Sequence, residues 1–288
     1  MTPAVAAPAK PRPGWIPFAW FGLLVAGCYA PVLAALAAQW AGDADMGHGF
    51  FVPVIAGFIV WQRRGELLAI KPRPNLWGLV LVIWGGAQLI LATLGVELFL
   101  ARTAFIITLI GAVWLLRGTE TLKKVAFPLF LLFFMVPIPQ LLYTRITFPL
   151  QILASKLADG ALQIIGIPVL RDGNILNLPN QQLSVVEACS GIRSLLSLTF
   201  LALVYGYFFE KKPWVRVTLF FATVPIAIVA NGGRVTLTGI MTQVKPELAE
   251  GFFHESTGWV IFMIALAILV LFHRILVRAT KLLAAGRT

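Results

Sequence analysis

A cysteine, two arginines and a histidine stand at three places where polar sequence meets a long apolar run. Cys189 and Arg193 lie in Glu187-Ala188-Cys189-Ser190-Gly191-Ile192-Arg193, Arg234 in Asn231-Gly232-Gly233-Arg234-Val235, and His254 just before Glu255-Ser256-Thr257-Gly258-Trp259. A thiol at a helix mouth beside cationic groups is shifted toward the thiolate, the form that attacks a carbonyl carbon. Arginine is a permanent cation and cannot serve as a base; its natural task beside a thiolate is to bind a carbonyl oxygen as that oxygen becomes negative. Histidine titrates near neutrality, so it can hold a thiolate as an ion pair and then protonate a leaving amine. The set suits acyl transfer through a thioester.

Each residue also has a plainer reading. Free cysteines mostly behave as small hydrophobes. An arginine at the edge of an apolar run snorkels or binds phosphate, and a lone histidine near headgroups is structural or solvated more often than catalytic. Glu187 either orients His254 or forms an ion pair with Arg193 that has no catalytic duty. Arg193 follows Cys189 by one helical turn, where it faces the same cleft, caps the helix or binds a substrate carboxylate. Asn231 belongs to the same cluster, and His48, in Met46-Gly47-His48-Gly49-Phe50, lies near the same level in the first outer loop. Cys28, inside the first apolar run, and His273, beside Arg274, stand outside the set. Two distant cysteines form neither a C-x-x-C pair nor a disulfide framework, and three histidines without ligand spacing predict no metal and no cofactor.

The elements that must position these residues are membrane helices. Of the 288 residues 59% are hydrophobic and 12% charged, and the apolar runs exceed what a soluble core would use. Runs near 16–39, 50–62, 76–95, 98–116, 125–142, 191–209, 214–230 and 257–273 predict about eight transmembrane helices, the second of them short. The formal charge of +11 would suit nucleic acid, but its placement argues for topology instead. With the N-terminus cytoplasmic, only Arg102, Arg145, Lys156, Arg171, Arg193, Arg234 and Lys245 of the 23 basic residues fall outside or at outer ends. Both termini are then cytoplasmic, the site faces outward, and the first run is a retained span without a small-x-small cleavage site.

One membrane domain, 1–288, is expected, with an extracytoplasmic insertion over about 143–190. Its first part carries Thr147, Gln151, Ser155, Asp159 and Gln163 at four-residue intervals, a polar stripe along an apolar helix that is expected not to cross the bilayer. In its second part, Val169-Leu170-Arg171 and Asn174-Ile175-Leu176 flank Asp172-Gly173, which predicts a type I′ hairpin turn. An extended segment from Leu183 to Val186 then leads to Cys189. Pro128, Pro137 and Pro139 in the fifth run and Pro225 in the seventh predict kinks, and Ser256 or Thr257 a cap for the eighth helix.

The cysteine motif through Ser194, the Asn231–Val235 motif, and His254 with Gly258 four residues on together resemble the exosortase/archaeosortase family. The likeness spans most of the chain; each motif is weak alone and specific in this order. The resemblance implies a polytopic membrane protease or transpeptidase with Cys189 as nucleophile, Arg234 and His254 as essential partners, and Arg193 as the second arginine of the cysteine motif. Gly47-His48-Gly49-Phe50 is similar to a Ser-His-Gly-Phe segment of that family, with Gly47 in place of the serine. It further implies exported substrate proteins whose C-terminal tail joins a Pro-Glu-Pro-like motif, a transmembrane helix and a basic cluster. Membrane lipid is the other expected partner, nucleic acid is not, and the acceptor that resolves the acyl-enzyme is unspecified. Two other classes compete. An outward-facing transporter or flippase would use Arg193, Arg234 and His254 to hold an anionic lipid or glycan, and a polysaccharide assembly factor would need no catalysis.

Overall fold

The computed structural model describes residues 16–179, 181–185, 191–244 and 251–285, with the backbone alone for 16–19, 44, 191–192, 251–255 and 283–285. The chain divides into two compact units, Met1–Pro137 and Ile138–Thr288.

The first unit is helical. It comprises α1 (Ile16–Gly42), a 3-10 turn (Ala44–Phe50), α2 (Phe51–Gln62), α3 (Arg64–Ala69), α4 (Trp77–Leu94), α5 (Leu98–Arg117), α6 (Thr119–Leu131) and a second 3-10 turn (Leu132–Met135). Small residues let α4 and α5 approach closely. A Cβ on Gly85 would overlap the Thr108 hydroxyl, and one on Gly78 the backbone of Leu115. The Tyr29 hydroxyl ties α1 to this pair, 3.2 Å from the Gly85 carbonyl and 2.8 Å from Thr108 Oγ1. In lipid, such packing and buried hydrogen bonds hold helices together where the hydrophobic effect between them is absent.

The fifth apolar run is not one helix. It breaks between Met135 and Gln140, where Pro137 and Pro139 fall. In a continuous helix the Met135 carbonyl would accept from residue 139, but proline has no N–H to give. Trp40 Nε1 donates to that carbonyl instead at 2.9 Å, and the neighbouring Phe134 carbonyl lies 3.2 Å from His48 Nε2. The freed backbone is thus satisfied by the first 3-10 turn and its flank.

The second unit contains α7 (Gln140–Ile165), β1 (Leu170–Asp172), β2 (Ile175–Asn177), β3 (Gln182–Ser184), α8 (Gly191–Phe209), α9 (Pro213–Val244) and α10 (Gly251–Ala285). It has two cores. One, between α8, α9 and α10, gathers Leu198, Ala202, Val215, Leu219, Ala227, Ala265 and Leu269. The other seals the antiparallel sheet β1-β2-β3 onto α7 and the far half of α9 through Ala154, Ala158, Leu162, Leu176, Leu183, Val185 and Val235. The polar stripe of α7 is used for docking: Ser155 Oγ donates to the Gly173 carbonyl at 3.0 Å, Gln151 Oε1 accepts from Asn174 at 3.2 Å, and Asp159 lies 3.8 Å from Arg171.

Three expectations need correction. The hairpin turn is Gly173-Asn174, one residue later than Asp172-Gly173, because Asp172 pairs with Ile175. Gly173 has φ 60° and Asn174 does not have positive φ, which fits type II′, with glycine at the first central position, and not type I′. The seventh run does not end at residue 230, since α9 continues to Val244. Hydropathy fades there because this half packs against protein. Similarly, α10 starts at Gly251, so Ser256 and Thr257 are helix interior and do not cap it.

Five helical segments are long and apolar enough to cross a membrane, Trp20–Gly42, Trp77–Leu94, Leu98–Arg117, Pro213–Val244 and Ser256–Leu282, or six with α6 and α7 taken as one broken span. The expected eight also counted α2, which has 12 residues, and α8, whose apolar described stretch is Arg193–Phe209. Leu23, Trp84, Leu91, Val229 and Val260 are among many large apolar side chains left exposed, an exterior that suits hydrocarbon and not water. The protein is a multi-pass membrane protein.

Candidate functional site

Helix α9 carries the centre of the candidate site. Asn231 and Arg234 are three residues apart and therefore share a face. Both are buried, at 5% and 8% exposure. They occupy the seam between the two cores, with Ala227 and Ala230 on one side of the pair and Val235 on the other. The polar pair replaces what would otherwise be a continuous apolar contact line along α9.

The guanidinium of Arg234 lies against α10 at Gly258. A Cβ built on Gly258 would stand only 3.2 Å from Cζ and from Nη2 of Arg234. Any larger residue there would displace the guanidinium, so the glycine makes the seat. His254 precedes Gly258 by four residues on α10, and their Cα atoms therefore lie on one face of that helix, a turn apart. Gly232 fits tightly against Leu157 of α7, with a built Cβ at 2.9 Å, whereas Gly233 has nothing within 4 Å. Close backbone approach thus explains the first glycine of the pair and not the second.

Asn231 adds an unexpected feature. Its Nδ2 is buried without a hydrogen-bond partner among the described residues. The residue also lines a small cleft with Leu150, Leu195, Val224, Ala227 and Ile228, between α7, α8 and α9. A buried amide donor left unmatched costs roughly 1–3 kcal/mol, a cost that binding of an acceptor would remove. The sequence signal for it was the three-residue spacing from Arg234, visible once both are known to be helical.

Arg193 is half-buried near the start of α8. Glu187 and Cys189 lie outside the described residues. Val185, the described residue that precedes them, is fully buried and its N–H donates to the Asn174 carbonyl at 3.0 Å.

His48 belongs to the first unit, in the 3-10 turn, half-buried, with Nε2 3.2 Å from the Phe134 carbonyl. Burial pushes its imidazole below the ordinary histidine value, against the opposing pull of its hydrogen bonds to Phe134 and Asp45. The Phe134 carbonyl can only accept, so Nε2 is the nitrogen that donates to it. The next residue, Gly49, sits under Trp40, and a Cβ there would come within 2.5 Å of Trp40 Nε1.

His273, left outside the candidate set, is buried in a chain of polar groups. Tyr205 Oη lies 2.9 Å from its Nδ1 and Glu210 Oε2 3.2 Å from its Nε2. Glu210 accepts the backbone N–H groups of Lys211 and Lys212 at 2.7 and 2.8 Å. This cluster braces α8, the α8–α9 connection and α10. Cys28 is exposed on α1, and no metal-binding group of His, Cys, Asp or Glu occurs among the described residues.

Helices that present apolar faces to lipid, a small sheet packed on one helical unit, and a buried amide and guanidinium at the seam of two cores define a polytopic membrane protein with a polar site inside its bundle. A family model for transmembrane exosortases matches residues 40–271. Comparisons with curated proteins and with solved structures give no match. The match spans most of the 288 residues and every candidate site residue, and the chain belongs to the transmembrane exosortase family.

Proposed function

We propose that this protein is a membrane-embedded cysteine transpeptidase or protease that acts on the C-terminal sorting tail of exported proteins. The reading rests on one observation above all. The Arg234 guanidinium is seated on α10 at Gly258, one turn after His254, so two of the three residues expected to do the chemistry belong to adjacent turns of packed helices.

Cys189 stands two residues before α8 and attacks the scissile carbonyl as a thiolate. Arg234, with the Asn231 amide, unpartnered among the described residues, three positions before it, receives the negative charge that forms on the carbonyl oxygen. His254 gives a proton to the departing amine, which leaves a thioester on Cys189. Water or an amine acceptor, its proton taken by His254, then breaks the thioester and restores the thiol.

Depth supports the same reading. From Pro213 to Arg234 the rise is about 32 Å, close to the ~30 Å hydrocarbon thickness. With Lys211, Lys212 and Arg216 at the cytoplasmic end, Arg234 comes to the outer boundary of the inner membrane. A tail helix in the bilayer would present its outer end at that level.

The test is co-expression with a tailed substrate and comparison of its size on a gel. Cys189→Ala should abolish processing, and Arg234→Lys should come close to doing so because a point charge lacks the planar fork. Full processing by Cys189→Ala would end the thiol mechanism and favour an anion-transporting reading.

A further inference from the structure

Arg102 is a buried arginine that the proposed chemistry does not use. It is the fifth residue of α5 and is 4% exposed, and its Nε has no hydrogen-bond partner among the described residues. Among the described residues none of its other side-chain donors makes a hydrogen bond, ion pair or ring contact either, which is unusual for a side chain with five N–H groups.

Nearby polar groups are already committed. Glu97 Oε2 accepts the Leu100 N–H at 2.7 Å, and Thr103 Oγ1 is bonded to Gln88 Nε2 at 2.8 Å and to the Phe99 carbonyl at 2.9 Å. Glu97 attracts Arg102 only from beyond ion-pair distance. Ile106, one turn on along the same face, is fully buried.

Three physical effects disfavour a cation here. Burial removes its hydration, the first turns of a helix carry the positive end of the dipole, and no anion among the described residues lies within ion-pair distance. A guanidinium retained against all three is a receptor for an anion that comes from outside the protein. Its depth suits one: Arg102 is about 22 Å along α5 from Arg117, which leaves it roughly 8 Å inside the opposite boundary of a ~30 Å core. An arginine side chain spans that distance to the headgroup level.

We propose that Arg102 is the anchor of a phosphate-class oxyanion site in the first unit, separate from the residues of the proposed peptidase. The phosphate comes either from an anionic phospholipid headgroup or from a soluble ion.

The test uses the full chain in detergent, its thermal unfolding followed with dioleoylphosphatidylglycerol or with sodium phosphate added. At roughly ten times its Kd a ligand of the native state should raise the wild-type Tm by about 3–6 °C, and Arg102→Met should lose that rise. A rise with the lipid alone assigns the headgroup as source; a rise with phosphate as well assigns a soluble anion. Equal responses of wild type and Arg102→Met, or no response of the wild type to either, overturn the proposal. Should Arg102→Met fail to accumulate, native mass spectrometry of Arg102→Gln decides: several-fold lower retention of phosphatidylglycerol per chain than wild type supports the site, and equal retention overturns it.

Discussion

Replacing Gly258 separates the placement of Arg234 from the stability of the fold. A Cβ at that position would lie 3.2 Å from Arg234 Cζ and Nη2, a few tenths of an ångström inside an ordinary carbon contact. In Gly258→Ala the guanidinium must therefore retreat by that amount. A misplacement of 1 Å in an active site costs on the order of 10²-fold, so a shift of this size should lower kcat/KM about 3- to 10-fold. Stability should hardly change, because alanine in a helix interior gains about 0.8–1 kcal/mol over glycine, which offsets the tight contact. Gly258→Val puts branched methyl groups where the guanidinium now rests. The loss should then approach that of removing an oxyanion donor, about 10²- to 10³-fold. Gly233→Ala is the control, because nothing lies within 4 Å of its Cβ direction and activity should be kept. The assay is the rate of tail removal by purified protein, run beside a melting curve for each variant. Wild-type processing by a folded Gly258→Val protein, or activity losses that merely track unfolding, would refute the reasoning.

Asn231→Ala should reduce processing about 10²-fold while leaving Tm unchanged or raised, since the buried Nδ2 has no partner to lose among the described residues; the same rate and melting measurements check it. Gly49→Ala should destabilise the first unit by about 1–3 kcal/mol, read by chemical denaturation in detergent, because its Cβ would stand 2.5 Å from the Trp40 indole nitrogen that holds the Met135 carbonyl. The backbone N–H of Lys212 holds the Glu210 carboxyl below its usual range, with the His273 side chain and the Lys211 N–H adding to it and burial opposing. A carboxyl depressed in the folded state contributes stability above its unfolded pKa of about 4.3 and loses it as pH falls through the folded value. The Tm difference between wild type and Glu210→Gln should therefore be present at pH 7 and close below about pH 4.

Much of this protein was legible before any coordinates. Apolar run length identifies a membrane protein because the bilayer sets a minimum helix length, and the three motifs identify the family because each places a chemically distinctive residue in a distinctive local sequence. Run length is blind to continuity, however. Residues 125–142 are apolar but for Gln140, yet Pro137 and Pro139 divide them, and the broken backbone is satisfied by Trp40 and His48, some ninety residues earlier. Nor does it see a helix that continues against protein past its most apolar stretch, as α9 does beyond Arg234. The hairpin was visible in Asp172-Gly173, but its turn falls one residue later, at Gly173-Asn174, where Ser155 and Gln151 of α7 bind it from far along the chain.

What the sequence determined by itself is therefore the solvent, the family and the reactive residue types, since these depend on composition and short-range pattern. What only the tertiary structure decided is that Arg234 rests on Gly258, that His273 is tied to Tyr205 and Glu210, and that among the described residues the Asn231 amide nitrogen and the Arg102 Nε are buried without an acceptor. Each of those facts is a distance between residues on different helices or an absence of one, and such distances are set by the packing of whole helices and not by any segment alone.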